Sequence, residues 1–361
     1  MASQRPRPVI TLPRAIAVAA LLVLSSGVAL HASDDVKPTG SETTNEASSS
    51  QRPVGEGQQP GEAAPSASSS VTPSGTAQPK PGASSSKAPA RSGNTLPQVP
   101  VVTVSGDYPS PATTGVPAGT KLTRLGLNFD GTTYRVTAHN TVLDGVHIPG
   151  DLLITANNVR VTRSQIDGMV YNEYSRKFYP FTISDSTIGP TSYCHGQPAL
   201  GFSDYTATRV LLRGHSDGFR ASGPNINIQD SYVHLCTNPG AHSDGIQTYL
   251  TGRGLTLNHT TIDQRDANPA DVTAPVFIVD SQAEDVVVTN NLIMGGTYSI
   301  QVRNVKGTAI VQNNRLVNQS WIYAPVDSDC ATVNWSGNTI VTIDANYQVV
   351  STVGPLPCKD W

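Results

Sequence analysis

Five stretches of this chain share one alternation of apolar and polar positions. They are NVRVTRSQI ending at Ile166, NINIQDSYV at Val233, GLTLNHTTI at Ile262, DVVVTNNLI at Ile293 and TAIVQNNRL at Leu316. Each puts apolar side chains at every second residue, passes through a short polar turn of Asn, Asp, His or Ser, and ends on another apolar anchor. Period two marks a half-buried strand, and no window carries a sustained helical stripe. From Val233 onward the ends follow at intervals of 29, 31 and 23 residues. That spacing suits stacked β-coils and is too irregular for leucine-rich or propeller repeats.

A second class of strand lies between these segments: DGFRAS, DGIQTY, APVFIV and YSIQVR. One lap therefore supplies at least two strands that bury one face and expose the other. The pattern predicts an all-β fold, a right-handed parallel β-helix of about eight coils in which each coil bonds only to its neighbours. Asn290, Asn291, Asn313 and Asn314 suit the tight turn between two of its sheets, where Asn tolerates left-handed backbone and can stack on itself. Aligned on inward residues, Phe219, Ile246, Phe277 and Ile300 are expected in one column.

Composition divides the rest of the chain. In residues 1–33, Arg5, Arg7 and Arg14 precede a largely apolar stretch of 16 residues from Ala15 to Leu30, the pattern of a signal peptide or membrane anchor. Residues 34–99 are Ser, Pro, Ala and Gly with almost no large apolar side chain. Such a stretch cannot bury enough surface to offset its ordering entropy, so it reads as a disordered linker. The β-helix domain is assigned to residues 100–361. It holds all four cysteines, Cys194, Cys236, Cys330 and Cys358, with no CxxC spacing. With an export signal this favours two disulfides, and of three connectivities the expected one is Cys194–Cys236 with Cys330–Cys358. From Pro100 onward there are 16 Lys plus Arg against 21 Asp plus Glu. No basic stripe is present, so nucleic acid is not an expected partner.

One tetrapeptide, His-Ser-Asp-Gly, occurs twice, at His215–Gly218 and His242–Gly245. In parallel neighbouring strands about 4.8 Å apart, His215 would stand beside His242 and Asp217 beside Asp244. Two carboxylates that close cannot both ionise cheaply, which makes an acid and a base from one residue type. The expected catalytic set is therefore Asp217, Asp244, His215 and His242. On the outward stripe, Arg220, Gln247, Tyr249, Gln301 and Arg303 offer cation, amide and aromatic contacts to a sugar chain. Asp-Gly is also a strong turn former, as at Asp144-Gly145 and Asp167-Gly168. His139, His147, His195, His234 and His259 are scattered without metal-ligand spacing and read as solvated or capping residues. The tyrosine-rich stretch from Met169 to Phe181 interrupts the repeat, as a groove wall or a cap loop.

The segment TTGVPAGTKL, the IDG and HSDG turns and the coil pattern together resemble the secreted bacterial right-handed β-helix proteins of the pectate-lyase-like superfamily, over roughly residues 100–361. The Asp-Gly-Phe/Ile element is similar to the Asn-x-Asp-Gly motif of polygalacturonases, whose Asp is catalytic, but both copies here carry His in place of Asn. The adjacent Asp-Asp and Gly-His-Gly motifs of that family are absent. The resemblance implies an extracellular polysaccharide hydrolase or lyase, secreted or tethered at the cell surface. A lyase would bring in Ca²⁺, for which Asp217, Asp244 and Asp280 supply oxygens, and Arg220 or Arg303 as base. Otherwise no cofactor is expected. The expected partner is a polysaccharide, with membrane contact only through the N-terminal segment, and the domain is expected to be a monomer. The alternative is a non-catalytic glycan-binding or adhesin-like surface protein.

Overall fold

A computed structural model describes residues 107–172 and 177–361. The expected signal segment and linker lie outside the described residues. Among the described residues thirty strands are assembled in three sheets. Sheet 1 has ten strands and carries both His-Ser-Asp-Gly copies, in His215–Ala221 and Ser243–Thr248. Sheet 2 has nine strands and sheet 3 eleven. Every lap visits sheet 1, then 2, then 3, and each strand pairs in parallel with its counterpart one lap before and after. This is the arrangement of a parallel β-helix. Antiparallel pairing occurs only at the two ends of the described stack, Asn128–Phe129 on Thr133–Val136 and Val349–Pro355 on Thr339–Ile343. These hairpins cover sheet edges that would otherwise template further strands.

The nine strands of sheet 2 make nine laps where about eight were expected. Hydrogen bonds between neighbouring laps span 18 residues near the N-terminal end and 27 to 30 in the middle. The short early laps contain too little sequence between turns to display the repeat.

Each of the five segments is the corner from sheet 2 to sheet 3. In the last of them Lys306–Gln312 supplies the first strand and Arg315–Val317 the second. The residue at the corner adopts left-handed backbone: Arg163, Asp230, His259, Asn290 and Asn313 all have φ between 48° and 58°. A non-glycine residue there costs about 1–2 kcal/mol. Side chains pair along the same column, Arg163 with Asp144, Arg209 with Asp185 and His259 with Asp230. The next residue turns inward, and in most laps it is polar and part of a ladder, with Val146 and Val210 the apolar exceptions. Ser164 and Ser231 accept the amides of Val146 and Val210. Asn291, Asn314 and Asn338 stack with 2.9 Å bonds from each Nδ2 to the next Oδ1. The predicted asparagine stack is therefore present, one residue per lap, between sheets 2 and 3.

Inside the solenoid, columns of apolar side chains fill the space between sheets. Leu200, Phe219, Ile246, Val276, Ile300 and Val326 are register partners on sheet 1 and all fully buried. Each such side chain contributes about 1.5–3 kcal/mol. The fourth member corrects the sequence alignment, which put Phe277 in this column. A register shift between Ser243 and Asp244 inserts one residue into the strand Val272–Ile278, so Val276 faces in and Phe277 pairs with the outward Gln247.

The outer face of sheet 3 is already covered. Tyr108 near the start of the described residues and Tyr347 in the C-terminal hairpin pack over Leu292, Met294, Val317 and Val341. The disulfides are Cys194–Cys236 and Cys330–Cys358, as expected, and no described cysteine is free. Two such bonds suit an oxidising, extracellular setting.

Candidate functional site

The two His-Ser-Asp-Gly copies lie in strands from His215 and from Ser243 onward, which corrects the expectation that they form turns. Their glycines answer to crowding and have no left-handed backbone to accommodate. A Cβ on Gly218 would lie 2.3 Å from the carbonyl oxygen of Gly245 and 2.9 Å from Val233 Cγ1. One on Gly245 would lie 2.3 Å from the carbonyl oxygen of Pro275 and 2.4 Å from Ile262 Cγ2. Only glycine lets sheet 1 pass this close to the next lap and to sheet 3.

The aspartates are adjacent, as the stacking argument required. Asp217 Oδ1 accepts the backbone N–H of Asp244 at 3.1 Å, and Asp244 Oδ1 accepts that of Ala274 at 3.0 Å. Each carboxyl group thus occupies an amide of the following lap, and at Ala274 that amide lies where a bulge disturbs the regular ladder. Their exposures differ. The Asp217 side chain keeps 14% of its surface open and Asp244 has none. Burial raises the Asp217 pKa above the usual carboxylate range, against the pull of Arg220 and the amide of Asp244. Asp244 is pushed up further, first by burial and then by the charge of Asp217. Asp217 Oδ2 also accepts from Arg220 Nη2 at 3.0 Å.

The two histidines are not equivalent. His215 is fully buried and His242 is exposed, just ahead of its strand. His215 has His195 of the preceding lap as its Cα partner, with ring centroids 4.7 Å apart. Its Nδ1 lies 2.7 Å from the Gln197 carbonyl oxygen. A carbonyl only accepts, so Nδ1 carries the proton. Burial lowers the pKa of His215 to about 4, leaving the ring neutral near pH 7. His195 is half-buried, and its Nε2 stands 3.7 Å from Asp151 Oδ1. Sequence reasoning set His195 aside, since its neighbours Asp151 and His215 belong to other laps. The available signal was its position beside Cys194, whose disulfide to Cys236 ties together the two loops entering sheet 1.

On the outward stripe, Arg220, Gln247, Phe277, Gln301 and Asp327 are successive register partners. Gln301 is nearly buried and donates to Asp327 at 3.0 Å. Arg303 pairs with Asp327 at 3.0 Å and with Asp329 at 3.5 Å. Both expected clamp arginines, Arg220 and Arg303, thus already hold carboxylates of the chain. Tyr249 is 53% exposed, and Tyr193 and Tyr323, not singled out from sequence, are 59% and 71% exposed. These rings border sheet 1 and offer flat faces to a ligand. Asp280 does not join Asp217 and Asp244 as an oxygen donor, because it caps the amides of Thr251 and Gln282. Among the described residues no group of three or more His, Cys, Asp or Glu is placed to hold a metal ion. Of the Met169–Phe181 stretch, Val170–Asn172 is an ordinary sheet 1 strand and Phe181 opens a sheet 2 strand; residues 173–176 lie outside the described residues.

No protein-family model, no curated protein and no solved structure matches this chain.

Proposed function

We propose that this protein is a secreted right-handed β-helix of the pectate-lyase-like kind that cleaves a polysaccharide lying across the outer face of sheet 1. The observation that carries the reading is Asp217, a carboxyl group raised by burial that still reaches the surface beside a second, sealed carboxyl. Such a group keeps a proton at a pH where an ordinary aspartate has lost it, and can give that proton to a glycosidic oxygen. Asp244 acts from beneath, as a neutral group that holds the bulged strand. His195 Nδ1 accepts the Gln197 amide, so its Nε2 carries the hydrogen and faces Asp151, and Asp151 is the base that takes a proton from the attacking water. The glycosidic C–O bond breaks, water supplies the new hydroxyl at the anomeric carbon, and Asp217 is reprotonated as Asp151 releases its proton.

Hydrolysis is preferred to β-elimination on one point. An arginine base must first lose its proton, and the Asp327 carboxylate raises the pKa of Arg303, while Arg220 is engaged by Asp217. The second reading, a glycan-binding protein without catalysis, draws on the amide-capping roles of Asp217 and Asp244, which are structural.

The test incubates the full chain with neutral and acidic polysaccharides and follows new reducing ends and ultraviolet absorbance of unsaturated products. Hydrolysis gives reducing ends without absorbance and is lost in Asp217→Asn. Absorbing products would establish a lyase instead. Retention of a glycan with no cleavage of any would establish the binding reading.

A further inference from the structure

Sheet 2 has its own open face, and the described residues form a depression there of about 330 Å³. Arg160, Thr182 and Thr206 line it from three successive strands, where they are register partners. Asn158, Asp204 and Asn225 line it from the corners between sheets 1 and 2, all three in left-handed backbone with φ of 49° to 58°. The volume lies at the small end of ligand sites, roughly 300–1,000 Å³.

Arg160 distinguishes this place. Arg163 and Arg209, at the following corners of nearby laps, are each bound by a carboxylate. Arg160 is exposed, and its side chain makes no ion pair or hydrogen bond among the described residues. A planar guanidinium with its donors unspent is suited to a carboxylate gripped at two oxygens. Around it stand two threonine hydroxyls, two asparagine amides and Asp204, whose Oδ1 accepts from Asn225 at 2.8 Å. Hydroxyls, amides and one carboxylate together recognise a ligand rich in hydroxyl groups. The same carboxylate, beside a single arginine, disfavours a doubly charged phosphate. Beyond Thr206 the row continues through Asn227 and Thr256 on the next two strands, at about 4.8 Å per step.

The geometry points to a second, non-catalytic glycan site on sheet 2, in which Arg160 binds the carboxylate of an acidic sugar and the threonine row holds its neighbours. It shares no residue with the sheet 1 site, so it stands whether or not Asp217 is catalytic.

Calorimetric titration of the full chain tests it, in an Asp217→Asn background so that the probes stay intact. The probes are trisaccharides of galacturonate, of mannuronate and of a glucuronate-containing polymer, each alongside its methyl ester. The expected result is binding of at least one acid form, weakened tenfold or more by esterification and by Arg160→Ala, and unchanged by Arg124→Ala, which removes an exposed charge from the edge strand of sheet 3. Arg160 is exposed, so its variant should keep the wild-type unfolding midpoint, which is measured in parallel. No binding of any acid form at millimolar concentration, equal binding of the esters, or indifference to Arg160→Ala would each overturn the proposal.

Discussion

Asp217 takes the backbone N–H of Asp244 across 3.1 Å, and one lap later Asp244 takes that of Ala274 across 3.0 Å. The doubled motif is thus a relay in which each acid secures the strand that follows it. Asparagine can keep this bond and alanine cannot. Asp244→Ala should lose about 2–3 kcal/mol, leaving the buried Ala274 amide unpaired. Asp244→Asn should stay within about 1 kcal/mol of wild type near neutral pH. Because burial raises the folded pKa of Asp244, its neutral form favours folding fully below the unfolded value, and that contribution fades as pH rises through the folded value. Urea unfolding across pH should therefore show a decline on the alkaline side in wild type that Asp244→Asn lacks.

His215 acts in the opposite direction. Its pKa falls from 6.5 to about 4 on burial. Between those values the unfolded chain takes up a proton that the folded chain refuses, so stability present above pH 6.5 is lost as pH falls toward 4. The full loss is about 3 kcal/mol. His215→Gln, which can still donate to the Gln197 carbonyl, should flatten this acid slope in the same unfolding series.

The two kinds of constrained glycine separate cleanly. At Gly245 an added methyl group meets the Pro275 carbonyl oxygen and Ile262 at 2.3 and 2.4 Å, while at Gly254 nothing lies within 3.9 Å and only a φ of +88° resists. Gly245→Ala should cost more than about 3 kcal/mol through overpacking. Gly254→Ala should cost about 1–2 kcal/mol through backbone strain alone. Thermal unfolding of the pair reads the difference.

What could be read in advance follows from where the information sits. Alternating apolar residues and paired asparagines are local, so the strands, the corners and the stack of Asn291 on Asn314 were visible along the chain. Both disulfides joined cysteines that neighbour each other in sequence. Register was harder. The bulge opposite Ser243 and Asp244 arises only when two laps meet, and the register beyond it sets Val276, not Phe277, opposite Ile246. The glycines of the doubled motif looked like turn residues because their need comes from atoms of another lap. His195 and Asp151 gain meaning only beside His215, which lies in a different coil.

The asparagine stack gives a graded series. Asn314 donates to the Val288 carbonyl and to Asn338, and accepts from the backbone and side chain of Asn291. Asn314→Ala should cost about 2–4 kcal/mol by leaving buried groups unpaired. Asn314→Ser should cost roughly half that, because serine fills this position in earlier laps and still accepts the preceding amide. Denaturant midpoints order the three proteins.

The most direct measurement follows the carboxyl carbons of Asp217 and Asp244 by NMR in ¹³C-labelled protein as pH is varied, with Asp217→Asn and Asp244→Asn to assign them. The pair should titrate in two coupled steps, both above 3.8, with Asp244 the higher. Titration of Asp217 at or below 3.8 would contradict the account, since a surface aspartate that has already lost its proton cannot serve as the acid.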